Sequence, residues 1–169
     1  MKLHPQAQPR MRRTLGFLLH DTSRLMRRRF IQKAREDSLP LNRSEASLMR
    51  HVAREQGINQ VTLAAQLDIE PVTVARLIDR LEADGLVERR PDPNDRRVWT
   101  VWLTRSADAM LERIEQIVLA VRQEALGGLS AEQQAVLTEL LVSVRGNLVD
   151  ATQMAPVGSG SHQNRRTNP

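Results

Sequence analysis

Apolar residues recur every three or four positions over most of the chain, while two short runs do not. The pattern predicts helices interrupted by one β-hairpin. Between Met11 and Ser38, Leu15, Leu18/Leu19, Leu25/Met26, Phe30 and Ala34 make one stripe of an amphipathic helix, which Leu39-Pro40 ends. Asn42 opens the next helix, with Glu45 spaced as in a capping box and Leu48, Met49, Val52 and Ala53 on the inner side; Gly57 closes it. Asn59 is placed to cap a short helix holding Val61, Leu63, Ala64 and Leu67. Asp68-Ile69-Glu70-Pro71 breaks that helix, and Pro71 suits the first turn of another carrying Val74, Leu77, Ile78 and Leu81, stopped by Gly85. Leu86 to Arg90 and Val98 to Leu103 read as strands around the turn Pro91-Asp92-Pro93-Asn94-Asp95.

A long helix follows from Thr104 or Ser106, with Met110/Leu111, Ile114, Ile117/Val118, Val121 and Ala125 on one face, and Gly127-Gly128 ends it. Ser130 and Gln133 again have capping-box spacing, and Val136/Leu137, Leu140/Leu141, Val144 and Leu148 stripe the last helix. Residues 1–10 carry no period and predict a flexible arm; residues 155–169 are polar and predict a disordered tail. The expected order is α-α-α-α-β-β-α-α, a mainly α chain with one β wing.

Composition narrows the chemistry. With no cysteine among 169 residues, a disulfide scaffold, a thiolate zinc site, an iron–sulfur cluster and a cysteine nucleophile are excluded. His4, His20, His51 and His162 lack ligand spacing, so no metal or other cofactor is expected. No apolar run approaches the roughly 20 residues of a membrane span, and Leu15 to Leu19 is too short for a secretory core. The cytoplasm is the expected compartment. The net charge of +5 is uneven: residues 1–40 hold ten lysines and arginines against three acids. Such an excess favours polyanions, nucleic acid before acidic membrane.

The segment from Gln60 to Thr104 carries the most information. Ala64, Asp68 and Val74 have the spacing of a helix-turn-helix: a small residue where helices cross, a residue tolerant of a tight turn, then a buried apolar one. With Val74, Leu77, Ile78 and Leu81 facing inward, Val72, Thr73, Arg76, Asp79 and Arg80 face outward, toward a DNA major groove. Arginine can donate two parallel bonds to guanine, and threonine can touch a base or phosphate. Asn59, Gln60 and Thr62, at the start of the preceding helix, suit phosphate anchoring. Arg96 and Arg97 stand at the hairpin tip, where a wing can lay guanidinium groups into a minor groove. Asp95 is expected to orient one of them, or to pair with an arginine of the recognition helix.

The run Ile69-Glu70-Pro71-Val72-Thr73-Val74-Ala75-Arg76-Leu77-Ile78-Asp79-Arg80-Leu81-Glu82, with Gly85-Leu86-Val87-Glu88-Arg89, resembles the recognition helix and first wing strand of MarR-family transcription regulators. Asp92-Pro93-Asn94-Asp95-Arg96-Arg97, ending in Leu103-Thr104, resembles that family's wing, and the likeness extends over residues 11–150. It implies a winged helix-turn-helix core over 41–104, flanked by dimerisation helices at 11–38 and 105–153, together one domain over 11–154. It further implies a homodimer on a palindromic double-stranded operator with half-sites ~34 Å apart. The broad stripes on residues 107–125 and 131–148 agree, since the winged core cannot cover both. Asn59, Gln60, Thr62, Val72, Thr73, Arg76, Arg80, Asn94, Asp95, Arg96 and Arg97 are the expected DNA contacts. Family members commonly release DNA on binding a small aromatic or phenolic effector, so a repressor of this type is implied, with His20 and Arg24 as candidate polar groups of the pocket.

Two other classes fit less well. An enzyme would need a nucleophile elbow, a phosphate-binding glycine loop or an H-E-x-x-H pair, and none is present; Gly158-Ser159-Gly160-Ser161-His162 lies in the polar tail. The alternative is sequence-nonspecific nucleic-acid binding through the arginine-rich first helix, and membrane-surface binding by that helix is weaker still, because its apolar side is needed for the dimer.

Overall fold

A computed structural model describes residues 14–154. The expected arm at 1–10 and tail at 155–169 lie outside the described residues. The chain divides into two units after Ala125. In the first, α1 spans Leu15–Glu36, α2 Arg43–Arg54, β1 Ile58–Asn59, α3 Gln60–Leu67, α4 Pro71–Ala83, β2 Val87–Pro91 and β3 Trp99–Leu103; a 3-10 turn at Arg105–Ala107 then leads into α5, Asp108–Ala125. The second unit holds α6, Ala131–Met154.

Local chemistry accounts for most boundaries. Asn42 Oδ1 accepts from the N–H groups of Ser44 and Glu45, while Glu45 Oε2 accepts from the Asn42 N–H at 2.7 Å, closing the expected capping box of α2. The box has an unusual member, because Glu45 is buried. Asn59 Oδ1 accepts from Thr62 N–H at 2.8 Å and so caps α3. Pro71 begins α4. Ser130 and Gln133 exchange bonds at the head of α6.

Three boundaries depart from the sequence expectation. Helix α2 ends at Arg54, before Gly57. Gly57, at φ +82°, instead turns the chain into β1; a Cβ there would stand 2.7 Å from Trp102 Cζ2. Strand β1 was not expected at all. It pairs antiparallel with β3, matching Ile58 to Val101 and Asn59 to Thr100, and gives a three-stranded sheet ordered β1-β3-β2. Two residues are too few to show a period, so only the pairing reveals a strand. Finally, α5 begins at Asp108, after the 3-10 turn, and not at Thr104 or Ser106. Both hydroxyls donate to the Gly85 carbonyl, at 2.6 and 2.7 Å, which fastens the foot of the wing to the end of α4.

The core is aliphatic. Leu48, Met49 and Val52 of α2 meet Leu63 and Ala64 of α3, Val74, Ile78 and Leu81 of α4, Val87 and Val101 of the sheet, and Ile114 of α5. From α1 only Ala34 is buried, and Phe30 packs half-buried against this core. Leu15, Phe17, Leu18, Leu19, Leu25 and Met26 are exposed. In the second unit no described residue of α6 is buried, and Leu140, Val142 and Leu148 are at least 60% exposed.

Candidate nucleic-acid interface

Helix α3, the turn at Asp68 and helix α4 form the helix-turn-helix that the spacing predicts. Ala64 is 3% exposed and Val74 fully buried. Asp68 adopts φ +53° and ψ +48°, the left-handed turn, with its N–H donating to the Ala64 and Ala65 carbonyls. Val74, Ile78 and Leu81 are buried, Leu77 is half-buried, and Val72, Thr73, Arg76, Asp79 and Arg80 are exposed. The 3.6-residue period therefore sorts α4 into an inner and an outer face as expected.

The outward residues are not alike. Among the described residues, Arg76 has no ion pair and no hydrogen bond, and the same holds for the guanidinium groups of Arg96 and Arg97. Arg80 differs: its Nε lies 3.1 Å from Oε1 of buried Glu45, while its side chain remains 60% exposed. The contact is an ion pair off the hydrogen-bonding direction, for Glu45 Oε1 accepts no hydrogen bond among the described residues. Arg80 thus offsets a buried charge at the head of α2 as well as facing out.

At the start of α3 the polar side chains have structural duties. Asn59 is spent as the cap, and Gln60 Nε2 donates to the Pro71 carbonyl at 3.2 Å, tying the start of α3 to the start of α4. Thr62 is half-buried. At the wing tip, Asp95 does not pair with an arginine of the recognition helix and does not hold a guanidinium. Its Oδ1 accepts from the backbone N–H of Arg97 at 3.0 Å, and Asp92 Oδ1 accepts from the N–H groups of Asn94 and Asp95. Short acidic side chains bond nearby backbone more readily than they reach another element. The tip is a carboxylate-braced turn that leaves Asn94, Arg96 and Arg97 exposed.

Arg89 joins wing to helix, a role for which the sequence held no period or spacing rule. It pairs with Asp79 and Glu82 of α4, its backbone N–H donates to Glu82 Oε1, and it reaches the Ala75 carbonyl. Only its strand position gave a signal, since a charged residue opposite Val101 on the inner face needs a partner. On the other face of the strand the Arg90 guanidinium lies 4.7 Å above the Trp102 ring, and Arg90 also pairs with Glu88.

Away from this surface, Arg29 and Lys33 of α1 bracket Glu124 of α5, at 2.6 and 2.9 Å. Their hydrogen bonds hold the Glu124 carboxyl down to about 2. His20 is exposed, and Arg24 bonds Asp21 one turn earlier on α1. A hollow of about 600 Å³ lies between the end of α1 and α5, lined by Lys33, Asp37, Arg113 and Gln116 among others; neither His20 nor Arg24 lines it. No cluster of metal-ligating side chains occurs among the described residues.

Comparison with known proteins agrees with this geometry. The MarR family model matches residues 41–99, the segment from the head of α2 to the wing. The transcriptional regulator HosA of Escherichia coli O111:H- is 36% identical over 101 residues, which cover 60% of this chain and 75% of that protein. The chain belongs to the MarR family. Apo MarR from E. coli superposes with a TM-score of 0.68 at 30% identity, covering 78% of this chain and 96% of MarR. A variant of the same MarR complexed with operator DNA matches with a TM-score of 0.66 at 28% identity, over 85% of this chain and 99% of that one. Proteins of the MarR family are transcription regulators and not enzymes, and this MarR-family chain is accordingly a DNA-binding transcription regulator. No helix among its described residues is long and apolar enough to cross a membrane.

Proposed function

We propose that this chain is a sequence-specific regulator that binds a palindromic operator as a homodimer in the cytoplasm, and that it acts as a repressor released by a small aromatic or phenolic effector. One observation carries the DNA contact surface: Arg76 on the recognition helix and Arg96 and Arg97 at the wing tip are exposed and uncommitted, whereas their neighbours Arg80, Arg89 and Arg90 on the same helix and hairpin are paired to acids. Uncommitted guanidinium groups on the outer face of a rigid helix and at the tip of a hairpin suit a groove and its flanking phosphates. Val72 and Thr73 join Arg76 as base-reading candidates. Asn94, Arg96 and Arg97 serve the wing, with Asp95 shaping it; Arg80 contributes from beside Glu45. Asn59, Gln60 and Thr62 offer backbone and side-chain donors to phosphate.

The apolar residues exposed on α1 and on α6 support the dimer, because monomeric proteins rarely leave such rows in water. The domain reading follows: a winged core over 41–104 and dimerisation helices at 11–38 and 105–153. The effector is proposed from family likeness, with His20 and Arg24 as its polar contacts in the assembled dimer. Nonspecific binding through α1 is less favoured, since Arg24, Arg29 and Lys33 are paired to acids and only Arg27, Arg28 and Arg35 of its cations are left for a polyanion.

Selection of bound fragments from the source genome, followed by salt titration, tests the reading. A large preference for a palindromic fragment over random duplex at moderate salt is the expected result; loss of all discrimination would leave only polyanion binding. Replacing Arg96 and Arg97 together by alanine is expected to lower affinity on all sequences and to reduce the salt slope by about 2.

A further inference from the structure

Trp99 is 53% exposed, an unusual state for an indole on a sheet. Strand alternation fixes the face on which it stands. Arg89 of β2 reaches α4, so its face of the wing looks toward the recognition helix. Arg89 is the cross-strand partner of Val101, and Pro91 is the partner of Trp99. Directly opposed residues in an antiparallel ladder share a face. Pro91 and Trp99 therefore lie on the recognition-helix side, one step nearer the wing tip than Arg89. On the opposite side sit Arg90 and Trp102, whose Nε1–H donates to Thr100 Oγ1.

The β1–β3 register also places Trp99 beside the start of α3. Ile58 pairs with Val101 and Asn59 with Thr100, so Gln60 leaves the ladder next to Trp99. Gln60 in turn bonds the carbonyl of Pro71, the first residue of α4. Around the indole, then, are the beginnings of two helices and the strand that leads from Arg96 and Arg97. Helix starts and arginines attract phosphate. An apolar plate rimmed by such groups matches a deoxyribose flanked by two phosphates.

We propose that Trp99 is a duplex-backbone contact, its indole lying against a deoxyribose of the strand that passes between recognition helix and wing. The proposal rests on the regulator reading above and adds a contact of a different kind. It involves no charge and no base edge, so its contribution is independent of both sequence and salt.

Trp99→Ala and Trp99→Phe, titrated on the selected operator and on a scrambled duplex over a series of salt concentrations, test it. Trp99→Ala is expected to weaken both duplexes by roughly tenfold. Its plot of log affinity against log salt should shift in parallel, with unchanged slope, because no counterion is released. Trp99→Phe keeps an aromatic plate and should retain most of the affinity. Tryptophan emission of the native protein should change on saturation with duplex, whereas that of Trp99→Phe, which keeps Trp102 alone, should not. Thermal unfolding of both variants separates a folding defect from a lost contact.

Trp99→Ala binding like the native protein would overturn the proposal, as would emission that ignores bound duplex. A variant with native affinity but a lower oligomeric state would show that a second copy covers the indole, and would also overturn it. Failure of the native protein to retain any duplex is a separate outcome, visible before any variant is made. It would refute the regulator reading and take this contact with it.

Discussion

Two arginines one helical turn apart on α4 separate binding from folding at the scale of single residues. Arg76 has no partner among the described residues, whereas Arg80 sits 3.1 Å from a carboxylate oxygen that is buried and otherwise unbonded. Arg76→Ala should leave urea stability within about 0.5 kcal/mol of native, yet weaken operator binding by about 1–3 kcal/mol and relax base preference locally. Arg80→Ala should cost about 1–3 kcal/mol of stability as well, because it strands the Glu45 charge. Urea unfolding together with footprinting reads both effects. Equal stability for the two variants would show that the Glu45 contact does no work. Arg76, Arg96 and Arg97 were legible in the sequence because an exposed face of a period-3.6 helix and a turn tip need no partner to be recognised. The Arg80–Glu45 pair joins residues 35 positions apart, and no local pattern announces it.

Turns and braces decide which way the elements point. The left-handed Asp68 sets the angle between α3 and α4. Asp68→Gly is expected to be neutral or to stabilise by up to ~1 kcal/mol, while Asp68→Val should destabilise by about 1–2 kcal/mol, as measured by thermal unfolding. A β-branched residue tolerated without loss would mean that the turn is not left-handed in solution. The brace between α1 and α5 makes a different prediction. Glu124 has its carboxyl held at about 2, below the ordinary 4.5, by bonds to Arg29 and Lys33. A carboxyl depressed on folding stabilises above its unfolded value and loses that contribution as the pH falls toward its folded one. Glu124→Gln should therefore flatten the stability–pH curve between roughly pH 4.5 and 2 relative to native, in urea unfolding carried out across that range. An unchanged curve would mean that the brace is broken in solution.

At the scale of the whole molecule, the pattern of exposure is the central fact. Seven large apolar residues of α1 face solvent, and α6 buries none of its described side chains. Those stripes are too regular for a water-facing surface, and a second copy is their expected cover. Leu140→Glu on α6 should raise the dimer dissociation constant by at least about tenfold, since a buried unpaired carboxylate is strongly disfavoured. Sedimentation at micromolar concentration would detect the resulting monomer, and a native protein that is already monomeric there would remove the dimer. In the proposed dimer two recognition helices reach successive grooves only when coupled, so operator affinity should fall as dimerisation is lost.

Periodicity, capping pairs and turn residues by themselves determined nearly every helix, the hairpin, the helix-turn-helix spacing and the outward arginines. Each of these is set by interactions within a few residues, such as Asn42 with Glu45 or Asn59 with Thr62. Tertiary structure alone decided the rest. It made a strand of Ile58–Asn59 by pairing them with Val101 and Thr100, and turned Thr104 and Ser106 from the expected helix start into ties on Gly85. It gave Arg89 to the recognition helix, Asp95 to its own turn, and Trp99 an exposed place on the recognition-helix side of the wing. The division follows from range: a local bond leaves a local pattern, whereas a bond between distant segments exists only after the chain has brought them together.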